Sequence, residues 1–210
     1  MDPTSEIVTA DSGAEFVDFL SQQREVSTDR NADWFDYLLD KDYWKMYPMW
    51  VMSKIDGEIW TIAAVQKHNF PNGVYRVMSR LYVKSAYRRP GDVASSRSAS
   101  PTYVGNWPAK STYLFPPMLD WMRSYNVKMF MTMEHARRHR NLSVISKYFN
   151  KNYGTNFAVA PDMYQTFSEE DNWRAWQVLT CEGEPDPNIP SITVEEWKRR
   201  FPEATLSTKV

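Results

Sequence analysis

The spacing of apolar residues alternates between helical and strand-like periods along the chain, becoming strand-like near Met49 and helical again near Pro117. Residues 6–10, Glu-Ile-Val-Thr-Ala, read as a short first strand, and Ser12 with Glu15 forms a capping-box pattern that opens a helix with Phe16, Phe19 and Leu20 on one face. A second helix is predicted over 33–39, where Trp34, Tyr37 and Leu38 recur at helical spacing behind an acidic start. From Met49 the pattern becomes β-rich. Residues 50–55 and 59–65 flank Asp56-Gly57, a pair suited to the positive φ angles of a two-residue hairpin turn. A further turn at Pro71-Asn72-Gly73 leads into 74–83, giving three strands in succession as an antiparallel meander and making 74–83 the fourth strand overall.

Residues 94–112 are Ser-rich with Pro101, Gly105 and Pro108 and show neither period, which predicts an irregular insertion. Pro117 suits the first turn of a helix whose Met118, Trp121, Met122 and Tyr125 make one stripe. Residues 127–133 are apolar on both faces, as in a central strand lying parallel to 74–83. Asn141 reads as the cap of a helix carrying Leu142, Ile145, Tyr148 and Phe149 and ending at Tyr153-Gly154. Residues 157–160 and 163–167 follow as strands, whereas 173–179 fits a strand or a helix equally well. Pro185, Pro187 and Pro190 predict a stiff extended linker over 183–190, ahead of a short helix at Val194–Arg200 capped by Thr193 and Glu196.

With 210 residues, the chain is long enough for one substantial core, and it divides into a domain over 1–182 and a tail over 183–210. A net charge of -1 offers no global attraction to nucleic acid or anionic membrane, so an anion site must come from local clusters such as Arg88-Arg89 or Arg137 to Arg140. The single Cys181 excludes an intramolecular disulfide, and with no leader or long apolar span the chain reads as soluble and cytoplasmic. Three histidines without metal-ligand spacing predict no metal, and neither a Gly-x-Ser-x-Gly elbow nor a Walker loop is present.

Chemistry concentrates in residues 79–93, Ser-Arg-Leu-Tyr-Val-Lys-Ser-Ala-Tyr-Arg-Arg-Pro-Gly-Asp-Val. A strand there runs into a glycine turn carrying two guanidinium groups, and loop amides beside arginine can hold a pyrophosphate; a solvated basic turn is the plainer alternative. The run from Val83 through Tyr87, Arg88 and Gly91 resembles the acyl-CoA signature of the GNAT family of N-acetyltransferases, and Asn141 to Tyr148 is similar to that family's Asn-x-x-Ala-x-x-x-Tyr helix. The resemblance implies an α/β fold with a mixed, twisted sheet flanked by helices, and an acetyl-CoA-dependent N-acyltransferase acting by direct attack of an amine on the thioester.

By the same resemblance, the backbone of Leu81, Tyr82 and Val83 would pair with the pantetheine amides, and Arg88, Arg89 and Gly91 would take the pyrophosphate. Asn141 would bond near the pantetheine, and Tyr148 would protonate the departing thiolate. Each has a structural alternative: an ordinary strand, a surface turn, a helix cap and an aromatic of a buried helix face. The fourth strand lacks the glutamate some members use as base, which leaves Glu134 or His135 after the 127–133 strand. The acceptor would be a small-molecule or protein amine. A second reading stays open: Val93 at the family's small-residue position and the Ser-rich segment fit a degenerate relative without cofactor. Such a protein would use its aromatic surface, with 9 Trp and 12 Tyr in the chain, or its C-terminal tail to bind a protein partner rather than nucleic acid or membrane.

Overall fold

The computed structural model describes residues 3–26, 30–68, 74–84, 102–124, 130–133, 139–168 and 172–203. Residues 1–66 and 78–124 form one compact unit, and residues 67–77 and 125–210 form another.

One sheet has the order β1-β2-β3-β4, comprising Thr4–Ile7, Met49–Ile55, Glu58–His68 and Val74–Val83, all in the first unit except residues 67–68 of β3 and 74–77 of β4. β1 pairs antiparallel with β2, and β2 with β3. The β2–β3 turn puts Asp56 at φ 52° and Gly57 at φ 83°, the backbone that the Asp-Gly pair predicts. Two helices, α1 (Gly13–Val26) and α2 (Arg30–Leu39), cover one face. Phe16, Phe19 and Leu20 of α1, Phe35 and Leu38 of α2, Trp50 and Met52 of β2, and Ile62 and Ala64 of β3 form one buried cluster there. The alternate strand residues Val51, Ala63 and Val65 are equally buried on the opposite face. Helix α3 (Thr102–Ser124) packs against β1 and β2, and its Tyr113 ring meets Trp60 of β3 edge-on at 6.1 Å.

Two local expectations change. The Ser12 hydroxyl accepts from the Thr9 amide at 2.9 Å, while Glu15 reaches 2.6 Å to Lys54 of β2, so Glu15 ties α1 to the sheet. The helix expected from Pro117 begins at Thr102, which replaces the irregular insertion with helix over 102–112. Prolines 108, 116 and 117 each weaken an interior helical turn by about 3 kcal/mol. Burying Leu114, Phe115, Met118, Leu119 and Met122 stabilises the helix by about 1.5–3 kcal/mol per side chain, and packing therefore overrides the local signal. The remainder of the expected insertion, 94–101, lies outside the described residues.

The second unit has the sheet order β5-β7-β6-β8, with β5 Phe130–Met133, β6 Phe157–Ser168, β7 Trp173–Glu182 and β8 Ser191–Ile192. All three pairings are antiparallel. Pairing on both sides, by β5 and by β6, makes 173–182 a strand, a choice that its own periodicity left open. The two short strands expected at 157–160 and 163–167 are one strand, kinked where Pro161 and Asp162 interrupt the register between Val159 and Met163. β4 and β5 fall in different four-stranded sheets, and β5 pairs antiparallel with β7.

Helix α4 (His139–Tyr153) packs on β6, β5 and β7 and ends at Gly154, φ 61°, the left-handed stop that its glycine predicts. Residues 183–192 do not act as a free spacer. The Pro190 carbonyl accepts from Gln165 at 2.8 Å, β8 pairs with β6, and Ile189 is buried against Tyr164, Leu179 and Cys181. Prolines hold this segment extended, the conformation needed to add an edge strand. Helix α5 (Val194–Arg200) follows, with Thr193 Oγ1 accepting from the Glu196 amide at 3.1 Å and Trp197 buried. Residues 183–200 thus lie within the second unit, carried by β6.

Candidate functional site

The end of β4 is where the sequence concentrates its chemistry, and the described part of it is firmly held. Lys84 donates its amide to the Trp60 carbonyl at 2.9 Å, and the Thr61 hydroxyl donates to the Tyr82 carbonyl at 2.8 Å. Even-numbered positions of β4 therefore bond toward β3. Val83 is buried, and the Lys84 ammonium lies 3.0 Å from Glu58.

Tyr82 contributes through its side chain as well. Its ring lies edge-on to Phe35 at 4.9 Å and Phe19 at 6.3 Å and stacks on Trp34 at 6.0 Å. Its hydroxyl donates to Gln23 Oε1 of α1 at 3.0 Å, with both residues buried. Gln23 received no attention from the sequence because it is polar. Its signal was nonetheless there: Phe16, Phe19, Leu20 and Gln23 fall at i, i+3, i+4 and i+7 of one helical stripe, so an amide occupies a core position. Arg88, Arg89 and Gly91, the expected anion cradle, lie outside the described residues.

On α4, Asn141 is the third helical residue, so the helix begins two positions before the expected cap. Tyr148 is half-buried, with its ring at 5.8 Å from Phe149 and 6.2 Å from Tyr153. The fully buried aromatic of this helix is Phe149, which packs on Phe157 of β6. Tyr148 therefore sits at the margin of the packed face, and its hydroxyl makes no hydrogen bond to any described residue. Glu134 and His135, the candidate bases, lie outside the described residues. Among the described residues, no three histidine, cysteine, aspartate or glutamate side chains gather as metal ligands, and no helix is long and apolar enough to cross a membrane.

Fold and site together define an α/β protein whose antiparallel sheets are flanked by helices, with a β strand running directly into an arginine-glycine segment. No family model and no curated protein matches the sequence. Among solved structures, the chain is similar to an acetyltransferase of the GNAT family from Streptococcus pneumoniae, at 12% identity and TM-score 0.38 over 86% of this chain and 98% of that one. It is also similar to a probable acetyltransferase from Staphylococcus epidermidis, at 11% identity and TM-score 0.42 over 87% and 100% of the respective chains. Likeness of this extent assigns neither family nor activity to the chain.

Proposed function

We propose that the protein is an acetyl-CoA-dependent N-acyltransferase, in which an amine attacks the thioester directly. One observation carries the reading. The fourth strand ends at Val83, four residues before Tyr87-Arg88-Arg89-Pro90-Gly91. Acetyl-CoA supplies an activated acetyl group as a thioester. The backbone of the strand Leu81, Tyr82 and Val83 aligns the pantetheine amides, while Arg88, Arg89 and the Gly91 amide bind the pyrophosphate. Asn141 adds a hydrogen bond near the pantetheine. Glu134 or His135 accepts the amine proton, directly or through one water, as the nitrogen bonds to the acyl carbon. When the carbon–sulfur bond breaks, the phenol of Tyr148 gives its proton to the thiolate sulfur. The acceptor is a small-molecule or protein amine.

A second reading is favoured by a specific feature. β4 and β5 belong to different sheets, and Val93 takes the place of a small residue after the glycine turn. A chain that keeps the fold but not the cofactor fits that feature, and its aromatic surface or its tail would serve a protein partner. Melting with acetyl-CoA and with desulfo-CoA separates the two. At ~100 times the dissociation constant a ligand stabilises the native state by about 2.7 kcal/mol, a rise readable by calorimetry. A raised melting temperature with both ligands supports the acyltransferase. No shift with either at millimolar concentration, in folded protein, supports the second reading.

A further inference from the structure

We draw no further inference here: the strongest candidate, the face of the second sheet where Gln177 of β7 is buried beside its cross-strand neighbour Tyr164 with neither amide atom hydrogen-bonded, carries nothing because nothing among the described residues shows what covers it.

Discussion

Asn150 shows how much one polar side chain settles in this fold. Its Oδ1 accepts from the Phe157 amide at 2.7 Å and from the Thr155 hydroxyl at 2.9 Å, and its Nδ2 donates to the Phe157 carbonyl at 3.0 Å. It thus closes the corner where α4 turns into β6. Asn150→Ala leaves the Phe157 backbone groups without these partners and should cost about 1–3 kcal/mol, measured by denaturant unfolding at unchanged slope. Tyr148 makes a different kind of claim. On an amine that the wild type acetylates, Tyr148→Phe should lower kcat by roughly ten- to a thousand-fold with acetyl-CoA affinity nearly constant, since the half-buried ring still packs and only the proton donor is lost. A full rate in the variant would return Tyr148 to a packing role. At this scale, the sequence was legible where a residue serves one purpose. Phe16, Phe19 and Leu20 are the buried stripe that their spacing announces. Gln23 and Asn150 escaped because polar residues at core or corner positions acquire meaning only from partners distant in sequence or contributed by the backbone. Tyr82 escaped in part because it does two things, a backbone role in a strand and a side-chain role against α1.

Among the elements, the β2–β3 hairpin follows most directly from its residues. Gly57 sits at φ 83° with nothing within 4 Å of an added Cβ, so any cost of a side chain there is backbone strain alone. Gly57→Ala should therefore destabilise by about 1–2 kcal/mol, the cost of a left-handed conformation for an L-residue, and chemical unfolding measures it. The end of α4 at Gly154 and the Thr193 cap of α5 were equally legible, since each is a local rule acting within a few residues. The early start of α3 was not legible, because three prolines speak against helix locally and only the burial of residues 114–122 speaks for it. The strand at 173–182 and the docked tail depended likewise on pairing with β6, a fact that no window of the sequence contains. The separation of β4 from β5 into two sheets belongs with them: an apolar run announces a strand but not its neighbour.

For the molecule as a whole, charge and burial predict how stability responds to alkali. Burial pulls the Lys54 ammonium down, but hydrogen bonds to Glu15 and Glu6 more than offset it and raise its pKa above the ordinary lysine value. In the other unit, burial of the Tyr164 phenol, aided by Asp162, raises that pKa too. A group with a raised folded-state pKa holds more protons in the native than in the unfolded chain above its ordinary value. Its contribution is thus complete below about pH 10 and is lost as the pH climbs through the folded-state value. The melting temperature should fall as the pH rises above about 10, less steeply in Lys54→Met and in Tyr164→Phe than in the wild type. An equal slope in all three proteins would mean that other groups control the alkaline limit.

The central claim is that the end of β4 and the arginine-glycine segment after it form a site for the pantetheine pyrophosphate. Titration calorimetry with desulfo-CoA tests this most directly, because it requires no acceptor amine and no turnover. The wild type should bind with a heat that saturates, and Arg88→Ala/Arg89→Ala should weaken binding by at least ten-fold, as expected when two charge-assisted contacts worth about 1.5–3 kcal/mol each are removed. A folded wild type that yields no binding heat at millimolar desulfo-CoA, or a double arginine variant that binds as tightly as the wild type, would contradict it.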